Sequence, residues 1–297
     1  MRKFKKIYIL LLFLSFGLSS FSMKLENNKY FDNYGNHIKL KKYKRIIITD
    51  PSCVEIFYLI GAEDNIVGVA KTKISKMWPE EKIKNLESVG TISRPSIEKI
   101  IKLKPDLVIL NVMSQRIIDT LKQQNIPFVV ERATNFQEIF TKIKAYGKIT
   151  GNNENATLLI KEKKIQLNKI KERISKDKKG KRGLVLYSTS PLLAYNSKSI
   201  PGEIMKLFNI ENLGNTTLGN THIISADYIL EKNPEIIICT MKIRDIETLI
   251  KRNPYLKYTD AYKNNRIYIF KSREILRGSP RIIDNLDEMY EVLYKWK

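Results

Sequence analysis

The chain has 297 residues, with 53 Lys or Arg against 31 Asp or Glu, a formal charge of +22. At 43% apolar residues it is too long for a disulfide-stapled mini-protein and too apolar for a disordered chain. Length favours two domains or one large one, and 2 Cys with 2 His leave a structural zinc site or metal catalysis few ligands.

Arg2, Lys3, Lys5 and Lys6 precede an unbroken apolar run over residues 7–14, and Ser20 and Ser22 flank Phe21. This order of basic, apolar and small residues predicts a signal peptide over 1–22, cleaved near Ser22 or Met23. The apolar run is well short of the ~20 residues a spanning helix needs. No Cys lies near that point, so the expected product is extracytoplasmic and carries no lipid-anchor Cys. Removing residues 1–22 takes away four basic residues and no acid, leaving +18. The basic residues are spread along the chain rather than gathered in one arm, and no nucleic-acid motif accompanies them. The charge therefore reads as a solvated surface with a minority share in ligand work, and nucleic acid is not an expected partner.

Residues 23–43 are polar and without periodicity, which predicts a flexible leader. A strand follows at 45–49, then a helix for which Ser52 and Glu55 offer a capping box and Gly61 a stop. Short apolar strands at 66–70, 107–110, 128–131, 184–187, 236–239 and 267–270 alternate with helical patterns, the mark of an α/β chain with largely parallel, two-sided sheets. Residues 153–178 lack Gly and Pro and carry a sparse apolar set, predicting one long, mostly exposed helix of about 26 residues, or ~39 Å. The apolar spacing does not sustain heptads, so the helix reads as a connector rather than a coiled coil.

The strongest internal signal is a repeat. Ser96-Ile97-Glu98 through Pro105-Asp106-Leu107-Val108-Ile109 matches Ser225-Ala226-Asp227 through Pro234-Glu235-Ile236-Ile237-Ile238 at a constant offset of 129 residues. In each copy a Ser caps a helix, an acid sits in its first turn, Pro ends it and an acid opens a buried strand. A weaker echo pairs Glu55-Ile56 and Leu59 with Glu203-Ile204 and Leu207. The expected architecture is two similar lobes, 44–150 and 183–297, bridged by the helix of 151–182.

Three groups of residues carry a family resemblance. They are Arg45-Ile46-Ile47-Ile48 with Pro51-Ser52 and Glu55-Ile56; Leu59-Ile60-Gly61-Ala62 with Ile66-Val67-Gly68-Val69; and the two repeat copies together with Arg277-Gly278-Ser279-Pro280-Arg281-Ile282. Through them the chain resembles the extracytoplasmic substrate-binding proteins of ABC importers for iron-siderophores, haem and cobalamin. The resemblance spans the chain after residue 44. It implies two Rossmann-like α/β lobes joined by a single long helix, with the ligand in the cleft between them and limited hinge motion.

It also implies roles. Glu98 and Asp227 match the acids, one per lobe, that meet arginines on the permease, although Asp227 stands where Glu is usual. Arg277 matches a position that contacts ligand. The cleft should be lined by loops leaving the carboxyl ends of strands, which makes Arg94, Arg132 and Arg273 further candidates, with Trp78 and Met113 on two of those loops. Arginine suits the carboxylates or catecholates of a chelate through its bidentate fork. Tyr187 and His222 could ligate haem or an unsaturated ferric ion. Ile92 and Thr221 stand where a cobalamin binder would carry Trp, which favours an iron chelate or haem over cobalamin. The expected partners are that cargo and an ABC permease with its ATPase, the expected state a monomer, and no resident cofactor is called for. Cys53 and Cys239 fall in different lobes and read as free structural thiols. No phosphate loop, G-x-G-x-x-G, G-x-S-x-G or H-E-x-x-H is present, so nothing calls for an enzyme.

Overall fold

The computed structural model describes residues 22–72, 76–175, 180–215 and 221–294, with the side chains of Thr221 and His222 excepted. The predicted signal peptide, but for Ser22, lies outside the described residues.

The predicted flexible leader is instead ordered. Strands β1 (Lys24–Glu26), β2 (Lys29–Phe31) and β3 (His37–Lys39) form an antiparallel meander. Each strand is only three residues long, and a single inward residue, such as Tyr30 or Ile38, leaves no period to read in the sequence. The buried Asp32 ties the meander to the first lobe: its Oδ2 accepts the Val130 amide at 2.7 Å.

The first lobe runs β4 (Ile46–Ile48), α1 (Pro51–Leu59), β5 (Ile66–Lys71), α2 (Glu80–Lys84), β6 (Ser88–Thr91), α3 (Ile97–Lys102), β7 (Leu107–Asn111), α4 (Ile118–Gln123), β8 (Phe128–Glu131) and α5 (Phe136–Thr150). Its strands lie in the order β6-β5-β4-β7-β8, all parallel. The cap of α1 differs from expectation: Asp50, not Ser52, is the N-cap, accepting the Ser52 amide at 2.7 Å. Pro51 at the first helical position starts the helix two residues earlier, which leaves Glu55 for another use.

Helix α6 (Asn153–Ile174) is 22 residues long, or ~33 Å, and ends four residues before the predicted stop; residues 176–179 lie outside the described set. It is not a free strut. Ala156, Leu159, Leu167, Ile170 and Ile174 bury one face. The buried Lys163 also pairs with Asp284 at 2.6 Å, and Arg173 pairs with Asp287 and Glu291.

The second lobe comprises β9 (Lys181–Thr189), β10 (Leu192–Tyr195), α7 (Ile200–Leu207), β11 (Ile210–Asn212), β12 (Thr221–Ile223), α8 (Ala226–Lys232), β13 (Ile236–Cys239), α9 (Ile246–Arg252), α10 (Asp260–Lys263), β14 (Ile267–Ile269), α11 (Ser272–Ile275), α12 (Arg281–Asp284) and α13 (Leu286–Tyr294). Its sheet runs β12-β10-β9-β13-β14, with β11 also on β9; β10 and β12 are antiparallel additions to an otherwise parallel set.

The repeat occupies equivalent places. Ser96 and Ser225 each cap a helix, α3 and α8, and each helix feeds a strand beside the lobe's first strand: Leu107 pairs with Ile46, and Ile236 with Gly183. The largest apolar cluster is shared, running from Ile46 and Ile143 through Leu159 and Leu167 to Ile204, Ile238 and Met289. A core continuous across both lobes resists wide opening, because separating them would expose close-packed apolar surface.

Candidate functional site

Six strands end at one cavity of about 280 Å³ between the lobes. From the first lobe it is lined by Asp50, Pro51 and Ser52 after β4, Ile92 after β6, Asn111 and Val112 at β7, and Glu131 to Ala133 at β8. From the second come Met241 after β13 and Ser272, Leu276, Arg277 and Gly278 after β14. Apart from residues 276–278, which follow α11, the lining segments lie at the carboxyl ends of their strands, where open α/β sheets leave a crevice.

Its polar floor is hydrogen-bonded within the protein. Asp50 accepts Asn111 Nδ2 at 2.6 Å besides its capping bond. Asn111 Oδ1 caps the next turn through the Met113 amide at 2.9 Å. Thr49 Oγ1, buried, accepts the Asn111 amide at 2.8 Å, and Ser114 Oγ donates to the Ile92 carbonyl at 2.6 Å, lacing the loops after β4, β6 and β7 together. Gly90, in the left-handed region at φ 105°, makes the tight turn before Ile92 possible: a Cβ there would lie 2.7 Å from the Arg94 carbonyl oxygen.

Beneath Asp50 lies a wholly buried charged cluster. Glu131 accepts the Tyr146 hydroxyl at 2.7 Å and the Tyr30 hydroxyl at 2.9 Å. Lys142 donates to Ser52 Oγ at 3.0 Å and, across the lobe boundary, to the Gly278 carbonyl at 3.3 Å. Burial raises the Glu131 carboxyl from 4.5 to about 7, against the opposing pull of Lys142 and the two tyrosine donors. For Lys142 burial works the other way, but the neighbouring Cys53, Glu131 and Asp50 outweigh it and its ammonium is raised. Burial raises both Tyr30 and Tyr146, with Glu131 adding to it.

The lobes are also joined by Glu55. Its buried carboxylate receives Arg277 Nη1 at 2.6 Å, Ser279 Oγ, and Arg281 Nη1 at 3.5 Å. Gly278 sits where a Cβ would come within 3.0 Å of Ala133 Cβ, so the two lobes touch here through backbone.

Of the residues expected to bind ligand, the cavity brings together Arg277 and Arg132. Arg277 is not held out as an open fork; it serves the Glu55 pair and also donates to the Lys76 carbonyl at 3.0 Å. Met113 is exposed beside the lining Val112, and Arg273 is exposed beside the lining Ser272, 3.7 Å from Glu274. Arg94 is exposed on the turn after β6 and does not line the cavity. Trp78 lies under the Arg281 guanidinium at 4.5 Å from its ring, and Tyr187 packs on Tyr195 with ring centroids 4.8 Å apart; neither lines the cavity. His222 is on β12, and its side chain lies outside the described residues. Glu98 and Asp227 are exposed in the first turns of α3 and α8. The sequence reading missed Glu131, Lys142 and Met241. A charged residue inside an apolar strand, as in Val129-Val130-Glu131, was the available signal for the first of these. Cys53 and Cys239 are both buried and free, in separate apolar clusters.

A family model described as "Periplasmic binding protein" matches residues 46–274. The substrate-binding lipoprotein YvrC of an ABC transporter in Bacillus subtilis is 28% identical over 264 residues, covering 86% of this chain and 81% of that one. A vitamin B12-binding protein of Yersinia pestis is 24% identical over 197 residues, covering 66% and 69%. A possible iron-binding, periplasmic solute-binding protein of Staphylococcus epidermidis superposes with a TM-score of 0.74 at 24% identity over 86% of this chain and 100% of that one, a likeness of fold.

Proposed function

The chain belongs to the periplasmic binding protein family, and we propose that it is the cargo receptor of an ABC importer, taking an iron chelate or haem into the inter-lobe cavity and handing it to the permease. The single observation that carries this reading is the cavity itself, built from the carboxyl ends of strands of both lobes. A site shared in this way senses cargo through a small change in lobe spacing, and the continuous core and the Glu55–Arg277 pair keep that change small. The reading is one of reversible binding, not turnover, with a monomer working outside the cytoplasm after cleavage of the signal peptide expected over residues 1–22.

Handover is assigned to Glu98 and Asp227. Two exposed carboxylates, one on each lobe at matching points of the repeat, offer a two-point electrostatic register to a basic two-fold permease. Each also stabilises its own helix by ~0.3–1 kcal/mol, and docking is the additional role.

Cobalamin is the alternative cargo, favoured by the likeness to the Yersinia protein. Ile92 on the cavity wall, where the resemblance sets a Trp for cobalamin binders, weighs against it. Thermal unfolding with ferric chelates, haem and cobalamin tests the reading: a ligand at 100 times its dissociation constant stabilises by ~2.7 kcal/mol. Stabilisation by a ferric chelate or haem supports the reading, and by cobalamin alone supports the alternative.

A further inference from the structure

The turn after β13 holds Met241 in a conformation its side chain disfavours. Its φ is 60°, in the left-handed region, at the first central position of a turn closed by the Ile243 amide on the Thr240 carbonyl at 3.2 Å. Such positions belong to Gly, Asn or Asp. The neighbouring Thr240 hydroxyl is buried with no hydrogen-bond partner among the described residues. Despite this local cost Met241 is not tucked away: it is 45% exposed and forms part of the cavity wall. Strain held at a ligand cleft points to a use for the side chain.

The repeat supplies a second, independent observation. The 129-residue offset sets Met241 on Val112, which lines the same cavity from the opposite lobe directly after β7. The equivalent strand ends thus present Val112 and Met241 from two sides, with Ile92 beside the first and Leu276 beside the second as further apolar wall. Between them Asp50 is committed to Ser52 and Asn111, Glu131 to two tyrosines and Arg277 to Glu55, and Arg132 adds one further charged group to the wall. What the jaws offer a cargo is chiefly apolar and, at the Met241 side chain, whose sulfur accepts the Ser272 hydroxyl at 3.5 Å, polarisable surface suited to an aromatic face.

We infer that Met241 and Val112 clasp a flat, aromatic face of the cargo, so that this receptor selects chelates with aromatic surface over wholly aliphatic ones. The inference rests on the cargo-receptor reading and narrows it. The test is titration calorimetry with three probes, haem, a ferric tris-catecholate and a ferric tris-hydroxamate, on the unaltered protein and on M241G, with unfolding of the ligand-free proteins alongside. At least one aromatic probe should bind at least tenfold more tightly than the hydroxamate. M241G should unfold at a higher temperature, because Gly relieves the left-handed strain, yet bind the aromatic probe at least tenfold more weakly. Binding unchanged in M241G, or a hydroxamate bound as tightly as the aromatic probes, overturns this inference and leaves the receptor reading standing. If none of the three probes binds, both fall together.

Discussion

Arg277, on the segment after β14, donates to Glu55 of α1 at 2.6 Å with side-chain exposures of 10% and 2%, so a residue expected to face cargo instead fastens one lobe to the other. With Asp50 as the cap of α1, Glu55 lies beyond the capping-box position and is available for this pair. Ser279 and Arg281 converge on the same carboxylate, and Arg281 in turn covers Trp78.

Removing Arg277 leaves the buried Glu55 carboxylate only Ser279 and the more distant Arg281, which brings the cost toward, but not to, the ~3–5 kcal/mol of a fully uncompensated buried charge. R277A should therefore lower the urea midpoint strongly with an unchanged m-value. E55L combined with R277M should recover most of the loss, since an apolar replacement leaves neither charge behind.

Glu131 makes stability depend on pH in an unusual direction. Its carboxyl titrates near 7 in the fold against an ordinary value of 4.5, so between those values the native state holds a proton that the unfolded chain has released. Its contribution to stability accordingly falls as pH rises through that window. In E131Q, whose amide stays neutral throughout, urea unfolding at pH 5 and pH 8 should show a flatter profile, with a gain over the unaltered protein at pH 8. Equal slopes for the two proteins would remove Glu131 from this role.

Tyr30 brings the N-terminal meander into the site. Y30F removes one of the two hydroxyl donors to a buried carboxylate and should cost ~1–3 kcal/mol. Because that donor favours the charged form, its loss should also move the Glu131 titration upward, visible as a shift of the pH-dependent loss of stability.

Glu98 and Asp227 are far in sequence yet equivalent in fold. The double reversal E98K with D227K should abolish cargo uptake by cells and leave the calorimetric affinity of the isolated protein unchanged. Weakened cargo binding would place these acids in the cleft rather than on the permease-facing surface.

The parts of the fold that were legible in sequence are those with a local period. The buried strands at 107–111, 128–131 and 236–239 read as apolar runs, and the helices of the repeat announce themselves by Ser caps and terminal prolines. The meander was not legible because its strands are held by single inward residues and by Asp32 reaching Val130, a contact 98 residues away. The hairpin of β9 and β10 was missed for a related reason, its strand pairing following a Ser190-Pro191 turn that punctuates the pattern. Among site residues, the rule of strand carboxyl ends pointed to the segments of Ile92, Asn111, Arg132 and Arg277 that line the cavity, but not to residues 50–52 or Met241, and it also pointed to Trp78, Tyr187 and Arg94, which do not line it. The commitment of Arg277 to Glu55 and the exposure of Met241 depend on packing between lobes, which no local pattern encodes.

Native mass spectrometry tests the central proposal most directly, applied to protein isolated from its own cell envelope and to protein incubated with haem and ferric chelates. A complex of one chain with one small molecule is predicted, lost in S272W, whose indole would fill the cavity from the second lobe. Bare polypeptide in every sample, or an adduct that survives unchanged in S272W, would contradict the assignment of cargo to the space between the lobes.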